Sequence, residues 1–557
     1  MEKAKIVRRD FLKAMLAGIP AFSLDWDSFP RGDRSAGGVG ASSRTAVGDT
    51  WDAVIIGSGL GGLSCAAGFA RQGFKALVIE QHGIPGGYAT TFKRPGGFVF
   101  DASLHSTGAG ERNGVPNLIA GFPEIMDVEF VPHKVLYRAV FPDHDFRVPH
   151  KDVDGYIRFL TEKFPEEKTG IEGLFQTMQG LMSDLNRYQS AGGQVDMASF
   201  PKEFPYLVKC FNSTWGAIQD SHIKDPKLKA VVSALWGYFG LPPSKLASLY
   251  YILPLMGYLE GGGYYPIGGS QKISDALRRF IEGRGGKVLL RTRAERILVK
   301  DHAAYGVRTA DGAEHLGRVI VSNANVLDTV RKMMDEGEFL KSYLARLDTF
   351  SISLSSFQVF LGLKKDLVAE VGIKDSEIFY YPDYDIEEGY RLALDADVEK
   401  GGFGLTLYDN LYKGYSPEGK NTINIMTLQG YEPWKKFEAD YFAGRKDAYR
   451  AEKERLAGIM IKKAEELFLP GLSKAIEVKE AATPLTNIRY TSNTRGAIYG
   501  WDQTVDNSEP RRLPHKTPIK NLYLAGAWTR PGHGYGAVIP SGLQCFAEIM
   551  EEWNKEK

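Results

Sequence analysis

Residues Gly57-Ser58-Gly59-Leu60-Gly61-Gly62 fit the spacing G-x-G-x-x-G, and an acid, Glu80, follows about 20 residues after the turn. This pattern binds rather than cleaves. In such a turn Gly57 makes the tight bend, Gly59 lets the backbone reach a pyrophosphate, and Gly62 permits close helix-on-strand packing. The Glu80 carboxylate accepts ribose hydroxyls, which argues against a 2′-phosphate. Ser58, Gly61 and Gln81 complete the candidate contacts on this side. The chain holds no G-x-S-x-G, H-E-x-x-H, P-loop or paired carboxylates that would point to hydrolysis or metal chemistry. Cys65, Cys210 and Cys545 have neither metal-site nor disulfide-framework spacing and read as small core residues.

Stepping the turn into place requires a strand before it and a helix after it. Asp52–Ile56 is a short β-branched, apolar run that reads as a buried parallel strand. Leu63, Ala66, Ala67 and Ala70 then recur at helical spacing until Gly73, and Lys75–Ile79 reads as a second strand ending at Glu80. At 557 residues, two packed domains are expected. Lys plus Arg total 69 against 68 for Asp plus Glu, so charge draws the protein to no nucleic acid.

The fingerprint alone does not separate FAD from NAD. Pro85-Gly86-Gly87-Tyr88-Ala89-Thr90-Thr91 and Gly96–Asp101 resemble the segment after the second strand in the amine oxidase and phytoene desaturase superfamily of flavoproteins. That resemblance implies FAD, with Gly86 and Gly87 passing close to its pyrophosphate and flavin. Asn521–Gly526 and the following run to Gly542, with a helical pattern from Leu543 to Trp553, resemble the family's closing strand and helix. It implies Gly526, Ala537 and Val538 as backbone contacts; where many relatives carry an acid, Ala527 and Trp528 stand instead. Tyr264–Ser270, a helix over Gln271–Glu282 and strands at Lys287–Leu290 and Ala294–Val299 resemble the middle FAD segment, with backbone from Ala294 to Ile297 at the adenine. Thr483–Thr486 and Thr494–Gly500 resemble the phytoene desaturase, carotenoid isomerase and retinol saturase branch. The implied fold class is α/β: a Rossmann-type FAD-binding domain (51–125, 260–325 and 481–557) interleaved with a mixed α+β substrate or cap domain (126–259 and 326–480).

Within the cap, Ala230–Tyr258 is strongly apolar and aromatic, and Pro242, Pro243 and Pro254 rule out one long helix. It reads either as buried core or as the wall of a lipophilic channel. The branch resemblance implies an oxidoreductase that desaturates, saturates or isomerises a carbon–carbon double bond of a hydrophobic, isoprenoid or carotenoid-like molecule by hydride transfer at flavin N5. His105, Arg530 and His533 fall in segments the resemblance places near the flavin, and are the candidates for proton transfer or charge stabilisation. The alternatives are a flavin amine oxidase and, from another class, a binding protein with structural FAD.

Ahead of the first strand, Arg8-Arg9-Asp10-Phe11-Leu12-Lys13 and the apolar run Ala14–Leu24 resemble a twin-arginine export signal, and Pro30–Asp49 reads as a linker, so the folded part is expected to start near Trp51. Eleven apolar residues are too few to span a bilayer, which needs roughly 20. An uncleaved signal would leave peripheral membrane contact; a cytoplasmic protein is the alternative. Export removes access to NAD(P)H, so a quinone, another redox protein or oxygen becomes the expected electron partner.

Overall fold

A computed structural model of the protein describes residues 26–32, 50–108, 115, 127–191, 196, 198–335, 337, 341–508 and 511–556. The twin-arginine pattern, its apolar run and most of the expected linker lie outside the described residues.

The dinucleotide half is built on five parallel strands, in the order Lys287–Leu289, Ala76–Ile79, Trp51–Ile56, Glu314–Ser322, Leu522–Leu524. The long strand Glu314–Ser322 also pairs antiparallel, through its first residues, with Ala303–Thr309, which leads on to Ala294–Lys300. Side chains alternate between two apolar layers, which is why the buried part of the first strand, Ala53–Ile56, is apolar on both faces. Ala53 and Ile55 face helices Leu60–Arg71, Gln271–Glu282 and Tyr535–Lys555, while Val54 and Ile56 face Ala294, Val330, Trp501 and Trp528. The first and last of those helices lie unusually close: a Cβ on Gly68 would stand 2.7 Å from Phe546 Cγ, and one on Gly542 2.0 Å from the Gly61 carbonyl oxygen. Chain positions about as far apart as the sequence allows therefore form one layer.

The cap half is a seven-stranded mixed sheet in the order Ile476–Ala482, Ser355–Leu363, Asn421–Gln429, Phe403–Leu407, Glu377–Tyr380, Tyr137–Val140, Asp145–Val148. One pair, Glu377–Tyr380 with Tyr137–Val140, is parallel; the rest are antiparallel. Helices from 153 to 256 form a separate aromatic-rich core beside it. A three-stranded sheet of Thr107–Gly108, Gly263–Pro266 and Phe130–Pro132 ties the two halves together.

Two sequence expectations are corrected by the packing. Order begins before Trp51: Trp26 stacks on Phe546 at 5.9 Å, Phe29 meets the same ring edge-on at 5.4 Å, and the Arg71 guanidinium lies 4.2 Å over the Trp26 ring. Gln72 Nε2 donates to the Trp26 carbonyl at 2.7 Å, and the Gly32 N–H to the Gln72 carbonyl at 2.8 Å. Two aromatics three apart gave this strap an apolar face that the glycine-rich composition after it concealed. Second, helices Val326–Arg331 and Lys341–Asp348 pack into the dinucleotide core through Val326, Val330 and Leu347, so the cap's second stretch does not begin at 326. Among the described residues no helix is long and apolar enough to cross a membrane.

Candidate functional site

A single cavity of about 1410 Å³ runs from the glycine turn to the cap sheet. Ordinary small-molecule pockets measure about 300–1,000 Å³, so there is room for a dinucleotide and a second molecule.

At one end the wall is backbone. Gly57 turns with φ +90°, which side chains resist, and a Cβ on Gly62 would stand 2.1 Å from the Gly57 carbonyl oxygen. The helix Leu60–Arg71 begins at Gly59 with no side-chain cap, leaving first-turn N–H groups available to a phosphate. Gly86 lies against Gly59 in an isolated bridge, its N–H donating to the Ser58 carbonyl at 2.9 Å. Glu80 accepts from the Ser58 N–H at 2.9 Å and the Ser58 hydroxyl at 2.7 Å on one oxygen, and from the His82 N–H at 2.7 Å on the other. Those three donors fix the carboxylate, and the oxygen that accepts from His82 keeps capacity for a ribose hydroxyl. The uncapped helix, the close glycine approach and the anchored acid together fit a dinucleotide such as FAD, held by the turn, Glu80, Gln81, Gly86 and Gly87.

Of the expected cofactor contacts, Gly57, Gly59, Gly61, Glu80, Gln81, Gly86, Gly87, Ala294, Ala537 and Val538 line the cavity. Ser58, Gly62, Ile297 and Gly526 do not. Ser58 serves Glu80, Gly62 serves helix packing, and Ile297 is buried among Val54, Ile56 and Val330. Gly526 is wedged against Asn323, where a Cβ would stand 2.2 Å from Oδ1, and its N–H donates to Ser541 Oγ at 2.9 Å. The N–H groups of Ala537 and Val538 both donate to the Gly534 carbonyl, at 2.9 and 2.8 Å, so the N–H groups left toward the cavity at this helix start are those of Tyr535 and Gly536.

Toward the cap the wall becomes side chain. Trp236, Tyr238, Phe239, Leu249, Leu253 and Tyr258 face the cavity, whereas Leu235, Tyr251, Ile252, Leu255 and Met256 are core. Ala230–Tyr258 is thus both wall and core, divided along one helix, Ser248–Met256, that carries Pro254 in its last turn.

The three candidate proton-transfer residues part company. Arg530 does not line the cavity, and its backbone N–H donates to the Leu513 carbonyl at 3.1 Å. His533 lines it, but both ring nitrogens are committed. The wholly buried Arg512 donates to Gln503 Oε1 at 2.8 Å, which fixes that amide so that its Nε2 donates to His533 Nδ1 at 3.0 Å. His533 Nε2 must then carry the proton, donated to the Tyr238 carbonyl at 3.1 Å. Burial, with the Arg512 charge second, lowers its pKa to about 3, so His533 is a neutral wall residue rather than an acid or base. His105 remains: its ring stacks on Tyr238 at 5.1 Å, Nδ1 stands 3.7 Å from Glu377 Oε1, and burial lowers its pKa to about 4.

Sequence reasoning passed over Glu377, Thr406, Gln503, Arg512 and Asn323, all of which shape the site. No short motif carries them; the acid that opens the apolar run Ile378–Tyr380 is a local signal for Glu377, and it becomes visible once that strand is known to be interior to its sheet. Cys65, Cys210 and Cys545 are free and buried, and no metal-binding cluster occurs among the described residues.

The family model of flavin containing amine oxidoreductases matches residues 60–549. The chain belongs to that family. Its cofactor is FAD. Among curated relatives of this family member, prolycopene isomerase of Arabidopsis thaliana is 27% identical over 523 residues, covering 91% of this chain and 84% of that one. The all-trans-retinol 13,14-reductase of Danio rerio is 27% identical over 542 residues, covering 90% and 86%. The solved cyclohexylamine oxidase of Brevibacterium oxydans superposes with a TM-score of 0.58 at 16% identity, covering 91% of this chain and 100% of that one, and so shares the fold.

Proposed function

We propose that this flavoprotein acts on a carbon–carbon double bond of a hydrophobic, isoprenoid polyene, saturating, desaturating or isomerising it. The observation that carries the reading is the aromatic, apolar chamber continuous with the cofactor end, including Trp236, Tyr238, Phe239 and Tyr258. Prolycopene isomerase and all-trans-retinol 13,14-reductase, which match nearly the whole chain, support it. FAD, when bound, exchanges an electron pair and a hydrogen with such a substrate. The protein's part is to orient the chain between aromatic faces, exclude water, and hold a proton. An amine oxidase reading needs a counter-charge for a cationic substrate. The fully buried carboxyl among the chamber's aromatics, Glu377, has its pKa pushed well above the usual range by burial and does not offer one, and other carboxyls on the cavity wall, Asp383, Asp385 and Glu388, are exposed or half-buried.

Anaerobic incubation of the FAD-loaded protein, oxidised and dithionite-reduced, with prolycopene or all-trans-retinol tests the reading by product chromatography. Conversion of either is the expected result. Peroxide release with amines in a parallel incubation in air, and no change in either polyene, would overturn it, and a flavin that dithionite does not reduce would favour a structural cofactor.

The Arg8–Lys13 pattern supports export by the twin-arginine route, with a quinone, a redox protein or oxygen as electron partner and peripheral membrane contact through a retained signal. Cell fractionation tests this: a cytoplasmic protein removes the case.

A further inference from the structure

Glu377 takes no part at the glycine end, yet it lines the chamber at 1% exposure. Both its oxygens accept from the Thr406 hydroxyl, at 3.3 and 3.0 Å. Among the described residues, the one cation-capable group at ion-pair range is His105, 3.7 Å from Oε1. That gap exceeds the ~2.7–2.9 Å of a charge-assisted hydrogen bond, and burial keeps the imidazole neutral. The other titratable groups around it are phenols: Tyr238 and Tyr258 from the chamber wall, Tyr381 and Tyr408 from its own sheet. Behind His105, His133 places Nδ1 3.1 Å from the hydroxyl of Ser376, Glu377's chain neighbour, and burial lowers its pKa to about 3. A carboxylate here would face no positive charge, whereas the acid form needs only Thr406.

We propose that Glu377 is the catalytic acid of the chamber, delivering its proton to one carbon of the substrate double bond. The inference rests on the polyene reading. In a saturation, the Glu377 O–H bond breaks as a C–H bond forms with the π electron pair. The neighbouring carbon would take a hydrogen with its electron pair, the chemistry reduced FAD would supply when bound, with a quinol or a reduced redox protein as the source of its electrons, and water readmitted on product release reprotonates the carboxylate. In an isomerisation the same proton returns to Glu377 after bond rotation and no electrons are exchanged.

The test uses FAD-loaded protein with prolycopene and all-trans-retinol as probes. Infrared titration of the wild type is expected to show a protonated-carboxyl C=O band surviving at neutral pH, absent in Glu377→Gln and shifted in Thr406→Val. Glu377→Gln is expected to keep its flavin spectrum, Tm and KM and to lose about 100-fold or more in kcat, with part of the rate restored in Glu377→Asp. A missing Glu377-dependent band at neutral pH, or an undiminished kcat in Glu377→Gln, overturns the proposal even where the wild type converts a polyene. If the wild type converts neither probe, the polyene reading fails and the proton-donor role falls with it, whatever the infrared band shows.

Discussion

At the glycine end of the cavity the ligand meets mostly backbone, and at the tyrosine end it meets mostly side chains. Gly57, Gly59, Gly61, Gly86 and Gly87 leave no atoms to substitute, and their one fixed charge, Glu80, is held by three donors. The other end has an aromatic lining in which His105, His533 and Glu377 are stripped of charge by burial. The glycine end recognises a charged molecule, common to many enzymes, by geometry; the tyrosine end selects by shape and by the neutral side chains around Glu377. The first should tolerate change poorly at single atoms, the second through changes in protonation.

The sharpest test of that contrast is Gly62→Ala. One methyl group overlapping the Gly57 carbonyl at 2.1 Å should abolish FAD binding outright, read as loss of visible flavin absorbance in purified protein. Retained flavin would show that the turn yields more than its packing implies.

The second is pH. The pKa values of His105, His133 and His533 are depressed in the fold to about 4, 3 and 3 from 6.5. Groups depressed in the fold add stability that is present above the unfolded value and lost as pH falls through the folded one, here from 6.5 toward 3–4. Each should cost about 2 kcal/mol at pH 5 relative to neutral, or about 6 kcal/mol together, measured by denaturant unfolding at pH 7 and pH 5. Glu377 carries the opposite sign. Raised in the fold, it adds stability that is complete below its unfolded value and lost as pH rises through the folded one. Because Glu377 offsets part of that loss, Glu377→Gln isolates the histidines, and an unfolding free energy of that variant that does not change between pH 7 and 5 would mean they are not neutral by burial.

Smaller effects separate the wall from its support. Gln503→Leu removes the donor to His533 and the acceptor of Arg512, and should cost about 1–3 kcal/mol in unfolding free energy while leaving FAD content unchanged. Trp26→Ala touches neither end. It should lower stability by about 1 kcal/mol with no change in flavin spectrum or turnover.

What the sequence disclosed follows the same division. The glycine end was legible because a close backbone approach restricts residue choice locally: Gly57 to Glu80 sit within one strand–turn–helix–strand unit, and the helix expected over Gln271–Glu282 has those bounds. The chamber was legible only in character. Aromatic richness in Ala230–Tyr258 announced an apolar enclosure, but Glu377 and Thr406 meet His105 through strand pairing between distant segments, which no short window displays. His533 was noticed for its neighbours in sequence, while its fate was decided by Arg512 and Gln503 in space. Arg530 and Gly526 illustrate the converse: they follow the closing strand in sequence but do not line the cavity, and Gly526 is held by Ser541 instead.

The contact between helices Leu60–Arg71 and Tyr535–Lys555 also bears on how the protein is born. The turn that opens the sheet is closed by a helix far downstream of it, and the strand Leu522–Leu524 joins the same sheet from nearly as far. So non-local a topology folds slowly, and a chain synthesised only as far as Leu522 lacks a wall of its own cofactor site. Flavin capture therefore waits for Tyr535–Lys555, and a chain truncated before Tyr535 should accumulate without colour.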